Sequence, residues 1–565
     1  MIQSSQQPFS HSTPSSRWPR HIIAGHLQAW AREKDSISQR GFADAYDLPR
    51  SSLRDWQNRQ DSIMDHPEAK AFFDSPVGLA VLHRILIAAH VVVTFRGGNG
   101  VQLVSEFLEL SALALYVAPS LNAQQTVNCC LEELTNAFGY AQRQLLSQAM
   151  PYRVLSLALD ETFHPSICLV GIEPVSNFIL LEQYALRRDR LTWDQAVAQA
   201  LKDLPVKVIQ CVSDQAKALI SHTVLTLKAN HSPDLFHILH ELFKATAICL
   251  AARLRAAGAE LEQATNQVKE LKTRIALLLM DPTAQAHVLK VKALLERAVE
   301  QETTAKGALE LLISHKQQLC DAIKSISEAY HPFDLLNGGV QTVEQIQARL
   351  ELIFTTIRKI SRDIGLPQRS LDGIEKAYRV VPEMIASIAF VHKTIASRLE
   401  GIVLPDGIAA LLSQRLIPAL YLQRVAKKAR TAQKRRDLSR LASELLQELT
   451  PRSALWMALE VAQREALHAI ALECAQLFQP SSSCVEGRNG YLALFHHGLH
   501  HLSDRRMGAL TVVHNYHIRD SEGQTPAERF FGRAHDSLFE YLLERMPLPA
   551  RPAARRSKQT DVQRP

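Results

Sequence analysis

The sequence predicts an α/β core on a mixed five-stranded sheet, preceded by a helix-turn-helix and interrupted by a large all-helical, coiled-coil-containing insertion. Three observations lead to this fold class. Strand-like apolar runs begin near residue 151, where a helical period ends. From about residue 246 the apolar residues repeat at steps of four and three, as coiled coils do. A short three-helix pattern precedes both, between residues 21 and 62.

Composition sets the broad class of the protein. The 565 residues suffice for several domains, and the net charge of +7 suits either a nucleic-acid partner or an ordinary solvated surface. The eight cysteines contain no C-x-x-C pair, which favours a reducing compartment over a zinc ribbon. The N-terminus lacks the apolar core of a signal peptide, and the apolar run at 79–93 is shorter than the roughly 20 residues that span a bilayer. We expect a cytoplasmic protein without a membrane partner.

Changes in composition divide the chain into seven predicted segments. They are a disordered N-terminus, a helix-turn-helix, a helical linker domain, the first part of the core, the helical insertion, the final part of the core and a basic disordered tail, at residues 1–20, 21–62, 63–150, 151–245, 246–479, 480–540 and 541–565.

The third helix of the N-terminal segment is the predicted recognition helix. It directs Leu53 and Trp56 inward and leaves polar side chains on the other face, at Arg50, Ser52, Arg54, Gln57 and Arg59. Arginine and glutamine are suitable donors for phosphates and base edges, so we expect DNA binding here. A small helical cap with surface arginines is the alternative interpretation.

Strand and helix signals alternate through the first part of the core. Strands are predicted at 154–160, 166–172, 177–184 and 207–212, helices at 192–204 and 216–227, and a short strand or helix entry at 234–237. Three strands followed by alternating helices and strands is the ribonuclease-H-like order. In that arrangement the first and fourth strands are parallel neighbours at the sheet centre.

Acidic residues stand where such a sheet places its ligands. Asp160 closes the first strand before a stop at Thr162, and Asp214 directly follows the fourth, so their carboxylates should converge. Glu486 opens the first helix after the insertion and is the predicted third acid. Glu528 competes with Glu486, whereas Glu161 competes with Asp160 and should point to the opposite face.

Three converging carboxylates predict a site for Mg²⁺, or Mn²⁺, with two ions about 4 Å apart. Such ions activate a water or a 3′-hydroxyl and stabilise the leaving oxygen in phosphodiester displacement. Arg488 and Asn489, beside Glu486, are predicted DNA contacts. Asp234 and His237 either line the same cleft or pack in the core.

Four histidines follow Glu486 at i,i+4 spacings, namely His496, His497, His500 and His501. The spacing permits zinc, but no Cys or Glu ligand stands at a matching distance, so contacts to DNA phosphate or core packing are favoured.

The insertion begins with a heptad seam. It comprises Leu250, Leu254, Ala257, Leu261, Ala264, Val268, Leu271, Ile275 and Leu278. A break at Asp281 and a second long helix to about Tyr330 predict an antiparallel hairpin, with a helix from a second subunit as the alternative. A basic run at 424–440 fits either a track for the phosphate backbone or a solvated helix face.

Five stretches together resemble the DDE transposases of bacterial insertion sequences. They are Leu157–Thr162, Val212–Asp214, Val485–Gly490, Ala509–Asn515 and Ala527–Gly532, of which the last two are similar to a C-terminal signature of one insertion-sequence group. The resemblance implies that Asp160, Asp214 and Glu486 are the three catalytic, metal-binding acids.

The resemblance also implies an activity and partners. It implies binding of the element's terminal inverted repeats, cleavage that exposes a 3′-hydroxyl, and joining of that hydroxyl to target DNA by a homodimer in the bacterial cytoplasm. Two alternatives remain open, a stand-alone nuclease of the same fold and an inactive, domesticated DNA-binding protein.

Overall fold

The computed structural model describes residues 18, 20–58, 67–164, 166–281, 283–447, 449, 454–499 and 502–552. Across these residues the chain is mostly helical and carries one five-stranded sheet. The predicted combination of an α/β core with a long helical insertion is therefore confirmed.

The N-terminal and linker helices are α1 Arg20–Glu33, α2 Gln39–Ala45, α3 Arg50–Asn58, α4 Pro67–Asp74, α5 Pro76–His90, α6 Val101–Leu110 and α7 Leu121–Gln148. The first part of the core comprises β1 Arg153–His164, β2 Ser166–Glu173, β3 Phe178–Ala185, α8 Arg190–Leu201, β4 Val206–Ser213, α9 Lys217–Ser221 and β5 Asn230–Pro233.

The insertion comprises α10 Leu235–Leu278, α11 Gln285–Ala329, α12 Val343–Asp363, α13 Gln368–Tyr378, α14 Val381–Glu400, α15 Ile408–Leu411, α16 Ile417–Lys428, α17 Ala432–Gln447, α18 Ala454–Met457 and α19 Val461–Gln476. The final part of the core comprises α20 Ser483–Leu499, α21 Asp504–Tyr516, α22 Pro526–Phe531 and α23 Leu538–Arg545.

The sheet has the strand order β3-β2-β1-β4-β5. β1 pairs with β2 and β2 with β3 in antiparallel fashion, whereas β1–β4 and β4–β5 are parallel. The prediction that the first and fourth strands are parallel neighbours at the centre is confirmed. Leu157 and Leu159 on one face of β1, and Ala158 on the other, are almost fully buried, as expected for a central strand covered on both sides.

One predicted boundary in the core was wrong. β1 does not stop at Thr162, because pairing with β2 continues beyond the last contact with β4 and ends at His164. Asp160 therefore lies inside a long strand rather than at its end. For 234–237 the helix-entry alternative is confirmed, because the fifth strand ends at Pro233 and the Asp234 carboxylate caps α10 by accepting the N–H of Phe236.

The three N-terminal helices form as predicted and enclose their own core, which includes Leu53 and Trp56. On α3, Arg54 is exposed and Ser52 half-buried, while the Gln57 side chain accepts a hydrogen bond from Gln39. Gln57 is thus partly committed to packing between helices. Arg50 begins α3, and Arg59 lies outside the described residues.

The insertion begins as an antiparallel hairpin of α10 and α11, as predicted. Ala257 and Val268 on α10 are buried in its seam, and Thr265 donates a hydrogen bond to Glu302 across it. In the basic run the expectation fails for Arg424, which donates to the carbonyls of Ala475 and Phe478 and to Gln479 instead of facing a phosphate track. Exposed basic side chains in the run include Arg430, Arg435, Arg436 and Arg440.

Three helical segments are long and apolar enough to cross a membrane by length and composition, namely Pro76–Arg96, Leu235–Leu278 and Gln368–Glu400. Each of them also supplies fully buried side chains to a core of the folded chain, as Ile87, Leu242 and Ile388 show. A cytoplasmic location stays a prediction.

The C-terminal helices cover the sheet edge formed by β3. The Asn515 side chain accepts the N–H of Ile179 and donates to its carbonyl, both at 2.9 Å, and Phe530 stacks on Phe178 with ring centroids 4.6 Å apart. These contacts give a structural role to the two C-terminal stretches that carried the family resemblance. Leu542 is buried, so ordered structure continues past the predicted boundary at residue 540.

Replacing Asn515 by leucine should destabilise the fold. The substitution leaves the buried N–H and carbonyl of Ile179 without partners, which should lower the free energy of unfolding by about 2–4 kcal/mol. Urea denaturation followed by circular dichroism measures the change. The matched control is Asn122→Leu on the exposed surface of α7, expected to cost less than about 0.5 kcal/mol. Equal effects of the two substitutions would contradict this account.

Candidate metal centre

The parallel pairing of β1 with β4 places Asp160 level with Asp214. The last paired residues of the two strands are Ala158 and Val212. Each acid follows its paired residue by two positions, and alternation along a strand returns the side chain to the same face. The two carboxylates therefore leave neighbouring strands at the same height.

α20 brings Glu486 to that face of the sheet. Ala158 packs there in a cluster with Val485, from the first turn of α20, and Met507 from α21. Because Val485 is buried against the sheet, the next residue along the helix, Glu486, stands at the edge of the contact beside Asp160. The predicted third acid thus reaches the site across the whole insertion.

The site is a cleft of about 470 Å³. Its lining comprises Asp160, Glu161, Thr162, Phe163, Arg188, Asp214, His237, Glu486, Asn489, Gly490 and Ala493. Within it, one carboxylate oxygen each of Asp160 and Glu486 and a ring nitrogen of His237 lie within 4.8 Å of one another. The structure thus brings Asp160, Asp214 and Glu486 together in one cleft, with a histidine among them.

Backbone amides orient the two strand acids. Oδ1 of Asp160 accepts the N–H of Glu161 at 2.8 Å, and Oδ1 of Asp214 accepts the N–H of Ala216 at 2.9 Å. The second contact turns the chain from β4 towards α9. Each acid therefore commits one oxygen to the backbone in a fixed geometry.

Burial makes Asp160 an unusual acid. It is 6% exposed, and burial raises the pKa of its carboxyl to about 7. The carboxylates of Glu486 and Asp214 raise this pKa further, while the amide of Glu161 and the imidazole of His237 oppose the rise. Near neutral pH the group is close to balance between its protonated and charged forms, and a nearby cation would shift it to the charged form.

The two competing acids have other partners. Glu161 also lines the cleft, but it is ion-paired with Arg188 and is not in the cluster with His237. Glu528 belongs to a capping box, in which its carboxylate accepts the N–H of Thr525, and it is also paired with Arg519. Of the two candidates for third acid, Glu486 lies in the cleft and Glu528 does not.

The prediction that Arg488 contacts DNA was wrong. Its side chain is 2% exposed and forms a two-hydrogen-bond ion pair with Glu182 on β3, which also accepts from Thr511. This pair fastens α20 to the sheet, so Arg488 is a positioning residue. Asn489 does line the cleft, and its buried Oδ1 has no hydrogen-bond partner among the described residues.

The four histidines after Glu486 do not form a described zinc site. His496 is buried, His497 is exposed, and His500 and His501 lie outside the described residues. The histidine that lines the cleft is His237, on the first turn of α10. The i,i+3 spacing from the helix cap Asp234 is the sequence signal that places His237 beside the core.

Comparison with known proteins gives one partial match. A family model described as a family of unknown function (DUF6399) is similar to residues 412–558, which is less than half of the chain. That segment includes Glu486 and Asn489 but neither Asp160 nor Asp214. No curated protein and no solved structure matches the chain.

Asp160→Asn should stabilise the metal-free protein in a pH-dependent way. Because the folded-state pKa of Asp160 lies above its ordinary value, the fold loses stability as pH rises from about 4 to about 7. Asparagine removes that loss, so the gain at pH 8 should reach at most about 4 kcal/mol and shrink towards pH 4. Urea denaturation in a chelator at several pH values measures it.

The exposed Asp363→Asn is the control for this experiment and should leave the pH profile unchanged. A gain that is absent at pH 8, or that is the same at pH 4 and pH 8, would contradict the proposed cost of the buried charge.

Proposed function

We propose that this chain is a DDE-type DNA transposase whose active site consists of Asp160, Asp214 and Glu486. The observation that carries the proposal is the convergence of these acids in one cleft from three separate segments of the chain. Two of the segments are adjacent strands, and the third is the helix that follows the insertion. Acids so distant in sequence that share a concave site are candidates for a common chemical role.

The fold supports the proposal in two ways. A mixed sheet with β1 and β4 parallel at its centre agrees with a ribonuclease-H-like core. A helical insertion between the second and third acids agrees with the resemblance to transposases found in the sequence. The separate three-helix core at the N-terminus, with Arg54 exposed, supports a DNA-binding domain.

The donor set fits divalent cations. Carboxylate oxygens are the ligands of Mg²⁺ and Mn²⁺, and Asp160, Asp214 and Glu486 would hold one or two such ions. When bound, the ions would lower the pKa of a water or hydroxyl nucleophile and stabilise the leaving oxygen. The raised pKa of Asp160 fits this role, because a buried carboxylate beside two others favours a positive charge.

Two displacement reactions at phosphorus follow from this site. In the first, water loses a proton as its oxygen forms a bond to phosphorus, and the P–O3′ bond breaks. The products are a 5′-phosphate and a 3′-oxygen that takes up a proton to become a 3′-hydroxyl. In the second, that 3′-hydroxyl loses its proton and attacks a phosphorus of target DNA, and the target's own 3′-oxygen leaves. The number of phosphodiester bonds is conserved in the second step.

Residues outside the three acids are proposed to contact DNA. Asn489 lines the cleft one helical turn after Glu486 and on the same side of α20, which supports a proposed contact to the DNA backbone near the reacting phosphate. Exposed arginines on α17 are available for phosphates farther along the duplex. Because two element ends must be processed together, we propose that a homodimer assembles on DNA.

Neutral substitutions of the acids should remove metal-dependent cleavage. The substrate is a plasmid that carries the DNA flanking the coding region, incubated with Mg²⁺ or Mn²⁺ and analysed for nicks and linear product. Asp160→Asn, Asp214→Asn and Glu486→Gln should each lower cleavage at least about a hundredfold while leaving binding of the flanking DNA intact.

Glu528→Gln is the matched control and should retain cleavage, because its carboxylate caps a helix outside the cleft. Loss of cleavage in Glu528→Gln with full cleavage in Glu486→Gln would overturn the assignment of the third acid. Incubation of pre-cleaved 3′-hydroxyl ends with a target plasmid tests joining, and cleavage without joined product would identify a stand-alone nuclease instead.

A further inference from the structure

A histidine lies among the acids of the proposed active site, and a metal centre made only of carboxylates gives it no role. His237 Nε2 lies 3.5 Å from Oε1 of Glu486 and 3.6 Å from Oδ2 of Asp234. It is enclosed and makes no hydrogen bond within the described part of the chain. The nitrogen thus faces the acid cluster at a distance too long for hydrogen bonding.

The three candidate ligand atoms lie close to the spacing that one ion requires. An octahedral ion with bonds of about 2.1 Å separates its ligands by about 3.0–4.2 Å. The candidate atoms of Asp160, His237 and Glu486 all lie within 4.8 Å of one another, and the measured nitrogen–oxygen distance of 3.5 Å falls in the required range. Small side-chain movements would complete the geometry.

Asp160 supplies an independent reason to expect a ligand. The residue is more than nine-tenths buried, and its Oδ1 accepts the N–H of Glu161. Oδ2 accepts no hydrogen bond from the described residues. A buried acid that keeps one oxygen free of hydrogen bonds from the described residues, within 4.8 Å of an imidazole nitrogen and a second carboxylate, is suited to a cation.

Asp234 does not compete for this position. One of its oxygens accepts the N–H of Phe236 and the other accepts the hydroxyl of Ser482. Both oxygens are therefore committed to joining the start of α10 to the loop before α20. The same bonds hold His237, in the first turn of α10, beside Glu486.

We propose that His237 is a ligand of the divalent ion held by Asp160 and Glu486, and that its imidazole makes this position select Mn²⁺ over Mg²⁺. Mg²⁺ is bound almost wholly by oxygen, whereas Mn²⁺ accepts nitrogen more readily. The ion would join the first turn of α10, where the insertion begins, to the first turn of α20, which follows the insertion. The proposal rests on the site of the proposed function, but ion binding is measured without DNA.

The test is a titration of the purified full-length chain with Mn²⁺, in which electron paramagnetic resonance measures free Mn²⁺ and Mg²⁺ is added as competitor. His237→Gln should weaken Mn²⁺ binding at least about tenfold and change Mg²⁺ binding by less than about threefold. His237→Asp, which exchanges nitrogen for oxygen, should retain binding but lose the preference for Mn²⁺. His240→Gln, one turn along α10 and exposed, should match the unsubstituted chain.

Thermal unfolding in a chelator verifies that each variant is folded. Equal Mn²⁺ and Mg²⁺ affinities in His237→Gln and the unsubstituted chain would overturn the role of His237 and leave the proposed function intact. If the unsubstituted chain bound neither Mn²⁺ nor Mg²⁺, even at millimolar concentration, the metal dependence of the proposed function would be overturned as well. A parallel loss of both ions in His237→Gln would assign His237 to positioning and overturn the selectivity.

Discussion

The parallel pairing of β1 with β4 is the constraint on which the rest of the site depends. Two residues beyond the last pair, Ala158 and Val212, the strands carry Asp160 and Asp214 at the same height. A shift of one residue in either strand would turn its acid to the opposite face. The buried apolar faces of both strands resist such a shift, so core packing and placement of the acids are set by the same register.

The insertion is joined to this core at two neighbouring points. The chain leaves the sheet at Asp234 and returns at Pro480, and the N–H of Leu235 donates to the carbonyl of Pro480 while Ser482 donates to Asp234. Arg424, from inside the insertion, binds the carbonyls at the end of α19. These bonds allow a third acid far along the sequence to arrive at a fixed position, whatever the length of the helices between.

Local patterns predicted much of this arrangement, because they depend on period and on neighbouring residues. The order of strands along the chain, the hairpin of α10 and α11, and the acids Asp160 and Asp214 could be predicted from such patterns. The pairing of Arg488 with Glu182 joins elements far apart in sequence, and local patterns do not contain it. One signal was available, since residues two apart on a helix point to opposite sides, which separates Arg488 from Glu486 and groups Asn489 with Glu486.

Two buried acids of this fold differ in whether a basic side chain pairs with them. Glu182 is buried with a partner, because Arg488 and Thr511 satisfy its oxygens. Asp160 is also buried, but among the described residues no arginine or lysine pairs with it, and its nearest charged neighbours include two further carboxylates. Stability alone would favour an asparagine or an apolar residue at such a position. An acid at this position, with His237 as its one basic neighbour in the cluster, supports a site arranged for a cation.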